Sequence, residues 1–291
     1  MDMVRKQWLR KGKIILKILY MTDLHGSMWK YNKLIDIAQT NKIEMIINGG
    51  DMLPKNCDLF SQKDFIINYL VNHFKIFNDL NIYYLCFLGN DDLKIFDDLF
   101  ERICNKYPYI IPIAQNKFKL NNYEFIGFNL VSDYPFRLKD RCRMDMKNYI
   151  FEKQLGTALL STSNGYKEIN DWISYANSLP TIEEELKKLV TPNDMNNCIY
   201  IIHMPPSDLN LDKCYNNRMV GSKAIYNFLE KNQPLISLHG HIHESPEVGG
   251  KWISKLNKTF CIQPGQNKDF IYVIIYLENM EFKRNILKEG D

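Results

Sequence analysis

Five short segments of the chain carry side chains of the types that bind divalent metal ions. They are Asp23-Leu24-His25, Gly50-Asp51, Gly89-Asn90-Asp91-Asp92, His203 and Gly240-His241-Ile242-His243. Carboxylate and amide oxygens combined with imidazole nitrogens form a mixed donor set that suits Mn, Fe and Zn. The set is large enough for two ions side by side. Two ions ~3.5–4 Å apart are a common device for activating water against a phosphorus centre.

The spacing inside two of these segments also suits metal binding. One residue separates Asp23 from His25, and one separates His241 from His243. In extended chain, alternate residues point to the same side, so each pair presents two donors together. Neighbouring glycines allow tight turns or a close approach of the backbone to the site. These glycines are Gly26, Gly50, Gly89 and Gly240.

The elements that must position the first three segments alternate between strands and helices. The predicted strands are 14–21, 44–48 and 82–88, and the predicted helices are 29–39, 62–77 and 93–103. This order is typical of a parallel sheet covered by helices. Because the carboxyl ends of parallel strands lie at one edge of a sheet, we expect Asp23, Asp51 and Asn90 to meet there.

The remaining chain changes its pattern, and residues 132–178 interrupt it. Predicted strands are 109–113, 118–120, 125–130, 199–202, 235–238, 260–262, 270–277 and 281–286, with a hairpin turn at Asn121-Asn122. Predicted helices are 181–190 and 223–231, the second capped by Ser222. We expect a second, more antiparallel sheet packed face to face on the first. The predicted fold is a four-layer α/β/β/α sandwich of two mixed sheets, one domain over 1–291, with 132–178 as an insertion placed to form a lid.

The five segments resemble the calcineurin-like metallophosphoesterase superfamily. Its pattern is DxH, GD, GN[H/D/C], H and GHxH in this order, and all five blocks occur between residues 23 and 243. Three further segments are similar to the Icc-type predicted phosphoesterases, namely His203-Met204-Pro205-Pro206, Val220-Gly221-Ser222 and 240–245. The resemblance implies a two-metal phosphoester hydrolase, expected to be a phosphodiesterase, in which a metal-bridging hydroxide attacks phosphorus.

The resemblance also assigns the ligands. It implies one metal on Asp23, His25, Asp51 and His243. It implies a second metal on Asp51 as the bridge, with Asn90, His203 and His241. The same three second-site ligands are expected to place the phosphate. Mn²⁺ is the expected ion, and Fe, Zn, Ni or Mg would also suit these ligands.

Asp91 departs from the commonest form of the pattern. Many members have a His here that protonates the leaving group or contacts the phosphate. Two nearby dications favour an ionised carboxylate, which cannot donate a proton. With Asn90, Asp91 and His203 as the expected catalytic residues, we predict phosphodiesters with good leaving groups as substrates. The other interpretation of Asp91 and Asp92 is that they cap the N-terminus of a helix that begins near Leu93. This interpretation is favoured for Asp92.

Several other polar and aromatic residues carry weaker predictions. The insertion contains four basic residues, Arg137, Lys139, Arg141 and Arg143. They could contact a substrate phosphate. The favoured interpretation is a solvated charged loop in which Asp140 and Asp145 nearly balance their charge. The aromatic residues of the insertion either stack on a base or pin the insertion to the body, and these are Tyr134, Phe136 and Trp172. His239 is expected either to be structural or to support the metal ligands, and His73 is expected to lie on a helix face.

The composition limits the remaining possibilities. Apolar residues make up 45% and charged residues 24%, which is ordinary for a globular protein, and a net charge of +3 does not indicate a nucleic-acid partner. The chain has no apolar run long enough for a membrane helix. Seven cysteines without CxxC spacing predict a reduced, cytoplasmic protein without disulfides.

The expected partner is a small phosphoester substrate, of which a nucleotide is one example. Two alternatives stay open. One is a non-catalytic metal-binding scaffold on the same fold. The other is a phosphomonoesterase or nuclease of the same superfamily.

Overall fold

The structure is a computed structural model that describes residues 16–55 and 58–290. Its strands are β1 (Lys17–Met21), β2 (Met45–Asn48), β3 (Tyr83–Cys86), β4 (Ile110–Pro112), β5 (Lys117–Leu120), β6 (Tyr123–Phe128), β7 (Val131–Ser132), β8 (Cys142–Arg143), β9 (Ala158–Thr162), β10 (Gly165–Ile169), β11 (Cys198–Ile202), β12 (Ile236–Leu238), β13 (Ile253–Leu256), β14 (Thr259–Ile262), β15 (Phe270–Tyr276) and β16 (Glu281–Leu287). Its α-helices are α1 (Met28–Thr40), α2 (Gln62–Phe65), α3 (Val71–Asp79), α4 (Asp97–Cys104), α5 (Trp172–Asn177), α6 (Ile182–Lys188), α7 (Lys223–Asn232) and α8 (Ser245–Gly249). The start of the predicted first strand lies outside the described residues.

Two six-stranded mixed sheets form the body of the protein. The first has the order β16-β15-β1-β2-β3-β4, and the second has the order β13-β14-β12-β11-β6-β5. The prediction of a more antiparallel second sheet is wrong. In the described residues, each of these sheets has three parallel and two antiparallel pairings. The second sheet is not more antiparallel because the final hairpin, β15 and β16, pairs with β1 in the first sheet. In the second sheet, the four central strands β6, β11, β12 and β14 are all parallel.

The two sheets pack face to face, as the sequence predicts, because each buries both of its faces. Along β1, Ile18 and Tyr20 belong to the apolar layer shared with Phe125 and Ile201 of the second sheet. The alternate residue Leu19 belongs to the layer beneath the helices of the first sheet. A third apolar layer lies between the second sheet and its own helices. Three apolar layers between four structural layers confirm the predicted α/β sandwich.

The helices follow the predicted positions with local differences. The predicted helix 62–77 is a continuous run of α2, a π-helical turn at Ile66–Leu70 and α3. Predicted helix 93–103 begins instead with a 3₁₀ turn at Lys94–Phe96 before α4. Ser222 caps α7 as predicted, since its Oγ accepts a hydrogen bond from the Ile225 N–H at 3.0 Å. Among the helices of the described residues, none is long and apolar enough to cross a membrane.

The insertion packs on the outer face of the second sheet and is not a solvated charged loop. Lys139 and Arg141 are only 1% and 3% exposed. Lys139 Nζ lies 2.7 Å from Asp133 Oδ1, and Arg141 pairs with Asp97 at 2.6 Å. Trp172 donates its indole N–H to the same Asp133 oxygen at 2.8 Å. Its ring belongs to the apolar layer that includes Ile202 of the second sheet, so it pins the insertion to the body. The favoured loop interpretation is therefore wrong for these two cations, because both side chains are buried. Lys139 lies against Asp133 of the insertion itself, and Arg141 lies against Asp97, which is 44 positions away.

Two carboxylates of the insertion, those of Asp140 and Asp145, are buried as well. Asp140 accepts the Lys94 N–H at 2.9 Å. Asp145 accepts the Lys223 and Ala224 N–H groups at 2.9 and 3.1 Å, at the start of α7. Both acids therefore satisfy backbone donors at helix starts, where negative charge is favoured, instead of balancing surface cations.

Candidate metal centre

The predicted ligands come together where strands of both sheets end. Asp23 follows β1, Asp51 follows β2, Asn90 follows β3, His203 follows β11, and His241 and His243 follow β12. These strand-to-loop junctions lie at the carboxyl ends of parallel strands, where the geometry of open α/β sheets places functional groups.

One group of four side chains is compact enough to hold a metal ion. Asp23, His25, Asp51 and His243 each offer one ligand atom, and these atoms lie within 4.8 Å of one another. His243 Nε2 is 3.4 Å from Asp23 Oδ1, and His25 Nε2 is 4.0 Å from Asp51 Oδ2. Both carboxylates are buried.

A second group surrounds Asn90. His203 Nε2 lies 2.9 Å and His241 Nδ1 lies 2.6 Å from the Asn90 side-chain oxygen. His203 Nε2 is also 3.5 Å from Asp51 Oδ2, so Asp51 contacts members of both groups. The other ring nitrogen of His203 lies 2.7 Å from the Gly49 carbonyl oxygen. A carbonyl can only accept, so that nitrogen carries the proton and Nε2 faces the cluster, as in metal-ligating histidines.

The donor atoms are arranged for a cation. His25 Nε2 and His243 Nε2 lie 3.1 Å apart, with the Asp23 and Asp51 carboxylates beside them. Two imidazole nitrogens that face each other repel through their lone pairs unless a proton or a metal ion lies between them. The residues therefore fit a divalent ion, which prefers this mixture of nitrogen and oxygen donors.

The titration of the imidazoles agrees with this fit. Burial lowers the pKa values of His25 and His241 to about 3, so both rings are neutral near pH 7, the form that binds metals. For His203, burial opposes the charge, but Asp51 raises the pKa to about 9. In the metal-free protein, a proton on His203 thus supplies positive charge beside Asp51.

The two central carboxylates stay ionised in spite of their burial. Burial by itself favours the neutral form of Asp23, yet His243 and His203 lower its pKa to about 2. Burial likewise opposes ionisation of Asp51, and His203 and His25 nevertheless hold its pKa well below the usual range. Two buried negative charges this close together create a strong attraction for cations.

Four of the predicted ligand residues have left-handed backbone conformations. Their φ angles are +57° at Asp23, +45° at His25, +52° at Asp51 and +69° at His241. Such conformations are strained in residues other than glycine, cost about 1–3 kcal/mol each, and concentrate at functional sites. The turns after β1, β2 and β12 are therefore held by contacts with the rest of the fold.

Two glycines let the loops approach the carboxylates, as the sequence predicts. A Cβ on Gly89 would lie 2.2 Å from Asp51 Oδ1. A Cβ on Gly240 would lie 2.7 Å from Asp23 Oδ2 and 2.2 Å from Thr22 Oγ1. These distances are far below normal contact, so any side chain at either position would displace a carboxylate of the site.

Asp92 does not cap a helix, so the favoured interpretation of this residue is wrong. It is fully buried and accepts hydrogen bonds from the N–H groups of Met52 at 2.9 Å, Leu53 at 2.8 Å and Gly89 at 2.8 Å. The helix start is satisfied from elsewhere, since Gln62 Oε1 accepts the Leu93 N–H at 2.8 Å. Asp92 therefore ties together the loops that carry Asp51 and Asn90.

Asp91 faces outward from the cluster, toward a cavity. Its Oδ2 lies 3.6 Å from Lys55 Nζ and 4.0 Å from His25 Nδ1, and its side chain is 33% exposed. Sequence reasoning missed Lys55. The only signal for it was its place four residues after Asp51, in the loop that follows the second predicted strand.

The cavity above the cluster has a volume of about 810 Å³. Its floor includes Asp51, Asn90, His241 and His243, and its walls include aromatic side chains from the insertion and from the loop before α7; these are Tyr134, Phe136, Tyr149 and Tyr215. The Tyr134 ring lies 5.9 Å from the His241 ring, so of the predicted aromatic residues this one reaches the cluster.

The two remaining histidines do not join the cluster. His239 is buried, and its Nδ1 lies 3.1 Å from the carbonyl oxygens of Ile202 and Met204, in agreement with a structural role. His73 is 3% exposed and lies 4.9 Å from both the Tyr31 and the Phe77 rings, so it faces the core of its helix layer.

Comparison with known proteins agrees with the geometry of the site. The model of the calcineurin-like phosphoesterase family matches residues 16–245, well over half of the chain. The chain belongs to this family. This match confirms the predicted superfamily. Its members are hydrolases that act on phosphoesters, and they typically bind divalent metals.

Individual relatives of this calcineurin-like phosphoesterase are distant. The uncharacterized protein L509 of Acanthamoeba polyphaga mimivirus is 25% identical over 247 residues, which cover 77% of this chain and 83% of that protein. The solved structure of TT1561 from Thermus thermophilus covers 94% of this chain and 99% of its own, with a TM-score of 0.58 and 14% identity. Another solved structure covers 94% of this chain and all of its own, with a TM-score of 0.61 and 15% identity. At these identities the likeness of the solved structures shows the fold alone.

Proposed function

We propose that this calcineurin-like phosphoesterase is a two-metal phosphodiesterase. The observation that carries the proposal is the position of Asp51, whose carboxylate contacts members of both ligand groups. Two bound ions would lower the pKa of a water molecule between them and neutralise charge on the phosphoryl oxygens. Asp51 is the shared ligand in this arrangement.

The other ligands divide between the two positions. Asp23, His25 and His243 complete the first, and Asn90, His203 and His241 complete the second, as the resemblance implies. His203 is oriented by the Gly49 carbonyl, which fixes its proton on the far nitrogen. We propose Mn²⁺ as the native ion, with Fe, Zn, Ni or Mg as substitutes, and expect Asn90, His203 and His241 to place the phosphate as well.

A preference for diesters is part of the proposal and depends on Asp91. Burial and the neighbouring Asp51 raise the pKa of Asp91 to about 6, which still leaves it ionised at pH 7 and above. Bound dications would favour the ionised form further. An ionised carboxylate cannot protonate a departing alkoxide, so the substrates are those whose leaving group departs as a stable anion.

The cavity limits the substrate to a small phosphoester. We propose that the insertion forms its outer wall, with Tyr134, Phe136 and Tyr149 beside the leaving group or the second ester substituent. An aromatic substituent such as a nucleobase would match these rings. Activity on aryl phosphodiesters well above that on dialkyl phosphodiesters of equal leaving-group pKa is the expected result, and equal rates would contradict this part of the proposal.

The deciding experiment is Mn²⁺-dependent hydrolysis of bis-p-nitrophenyl phosphate by the wild type and by Asp51→Asn. The variant keeps the shape of the shared ligand but removes its charge, so we expect a loss of about 100-fold or more. Asp36→Asn, on the exposed face of α1, is the matched control and should retain full activity. Absence of activity with every divalent metal, or equal activity in Asp51→Asn, would reject the enzyme and favour the scaffold.

We also propose a reducing, cytoplasmic setting. The six cysteines in the described residues are free thiols, five of them buried, while Cys57 lies outside the described residues. Burial raises the pKa values of Cys142 and Cys261 to about 12, which keeps these thiols protonated and unreactive. Activity should therefore be unchanged by dithiothreitol, and a large change would contradict this setting.

A further inference from the structure

Lys55 brings a positive charge to the edge of the ligand cluster. Its Nζ lies 3.1 Å from His25 Nε2 and 3.6 Å from Asp91 Oδ2, and its side chain is 41% exposed toward the cavity. Lys55 and Arg218 are the lysine and arginine side chains that line this cavity in the described part of the chain. Arg218 is already paired with Glu152. The cation directed at the ligands is thus Lys55.

The loop that carries Lys55 is anchored just before the lysine. Asp92 accepts the N–H groups of Met52 and Leu53, just before it. The Gln62 side-chain amide donates to the carbonyl oxygen of Pro54 at 3.0 Å and to that of Asp91 at 2.9 Å. This single amide fixes the backbone of the lysine loop relative to the backbone of Asp91. The approach of Lys55 to Asp91 is therefore built into the fold and does not depend on the lysine side chain alone.

The position of the ammonium suits a substrate oxygen better than a structural ion pair. An exposed lysine–carboxylate pair contributes little to stability. A dication on His25 would repel the ammonium, and the flexible lysine side chain can then turn toward Asp91 and the cavity. There it would face the phosphoryl group of any substrate that occupies the metal site. A lysine ammonium is a point charge with three donors, which is well suited to a phosphate oxygen.

We propose that Lys55 binds a non-bridging oxygen of the substrate phosphoryl group and that Asp91 is a positioning residue that holds Lys55 by their ion pair. This inference rests on the proposed function for its substrate. It gives Asp91 a role that needs no proton transfer. The lysine supplies the charged hydrogen-bond donor that an ionised Asp91 cannot supply.

Binding of inorganic phosphate tests the proposal without requiring turnover. Isothermal titration calorimetry of Mn²⁺-loaded protein would compare wild type, Lys55→Met, Lys55→Arg and the exposed helix control Lys63→Met. Loss of one charge-assisted hydrogen bond weakens binding by about 10- to 100-fold in Lys55→Met. Lys55→Arg should retain much of the affinity, and Lys63→Met all of it. Equal Mn²⁺ content in all four proteins shows that the metal site is intact.

The role of Asp91 is tested by a double-mutant cycle. Asp91→Asn should weaken phosphate binding by less than Lys55→Met does, about three- to tenfold, because the lysine stays but loses its partner. If Asp91 acts through Lys55, the double variant binds phosphate no more weakly than Lys55→Met alone. Additive losses would show that Asp91 acts independently and would overturn that half of the proposal.

Kinetics separate a substrate contact from a structural effect. In Lys55→Ala, added ethylammonium should restore part of the lost kcat/KM for bis-p-nitrophenyl phosphate, whereas Asp51→Asn should not respond. Wild-type affinity for phosphate in Lys55→Met, or no rescue of Lys55→Ala, would overturn the proposal. If the wild type hydrolyses no phosphoester but binds phosphate in a Lys55-dependent way, the proposed function fails and the lysine site stands. If the wild type neither hydrolyses phosphoesters nor binds phosphate, both fail.

Discussion

Asp92 offers the sharpest test of how the site is held together. Its buried carboxylate accepts three backbone N–H groups, from Met52, Leu53 and Gly89. Met52 follows Asp51, the proposed shared ligand, and Gly89 precedes Asn90. The carboxylate therefore links the loop that carries Asp51 to the loop that carries Asn90. We expect Asp92→Asn to weaken this link with almost no change in side-chain volume.

The size of the effect follows from the number of acceptors. Asp92 Oδ2 accepts from Met52 and Gly89, and Oδ1 accepts from Leu53. An asparagine has only one acceptor oxygen, so its amide N–H₂ must face at least one backbone N–H. One charge-assisted bond is then lost, at about 1.5–3 kcal/mol, and the orphaned donor is buried. We expect the free energy of unfolding to fall by about 2–4 kcal/mol.

Urea unfolding of the metal-free proteins at alkaline pH measures this difference, with Asp98→Asn as the control. Burial and the nearby Asp51 raise the pKa of Asp92 to about 7, so its carboxylate is fully ionised, and its hydrogen bonds are charge-assisted, only at alkaline pH. Asp98 lies exposed in the first turn of α4, so its variant should differ from wild type by less than about 0.5 kcal/mol. Because the link orients Asp51 and Asn90, two proposed metal ligands, Mn²⁺ affinity should also fall by about 10- to 100-fold in Asp92→Asn. The reasoning is refuted if Asp92→Asn unfolds like Asp98→Asn or binds Mn²⁺ like the wild type.

Three further predictions concern the insertion, the chemistry and the core. Arg141→Met removes the pair with Asp97 and the 2.7 Å bond from Nε to the Gly89 carbonyl, so urea unfolding should show a loss of about 3 kcal/mol, while exposed Arg137→Met should show little. Across a series of aryl phosphodiesters, the hydrolysis rate should rise as the pKa of the leaving group falls. A rate that does not depend on this pKa would contradict the prediction that Asp91 donates no proton. Burial lowers the pKa of His73 from 6.5 to about 3, so the unfolded chain takes up its proton first and stability is lost as pH falls from about 6.5 toward 3. Between pH 7 and pH 5, the unfolding free energy of His73→Phe should therefore fall by about 2 kcal/mol less than that of the wild type. Equal falls in the two proteins would contradict this.

The convergence of the ligands could be predicted because it depends on local patterns and one topological rule. Apolar runs identify the strands before Asp23, Asp51 and Asn90, and parallel strands bring their carboxyl ends to one edge. The hairpin at Asn121-Asn122 was predictable for the same local reason, and β5 and β6 pair across it with Leu120 opposite Tyr123.

The contacts that support the ligands could not be predicted in this way. Arg141 finds Asp97 across 44 positions of sequence, and Asp92 finds Leu53 across 39. A pattern of charges along the sequence shows only which residues are neighbours in the chain. It therefore assigns such residues to a solvated face or to the nearest helix. The parallel character of the second sheet was missed for a similar reason, since pairing of β6 with β11 spans the whole insertion.

The insertion helps to stabilise the proposed metal centre. The left-handed backbone of Asp23, His25 and Asp51 is unfavourable and persists only where surrounding contacts impose it. The loop after β3 adds to these contacts through its carbonyl groups. Asn129 donates to the Leu88 carbonyl at 2.7 Å, and Arg141 of the insertion donates to the next carbonyl, that of Gly89. Since Gly89 lies directly against Asp51, a displacement of Arg141 would be transmitted to this proposed shared ligand. The segment that interrupts the sheet pattern therefore fixes the position of the carboxylate on which the proposed chemistry depends.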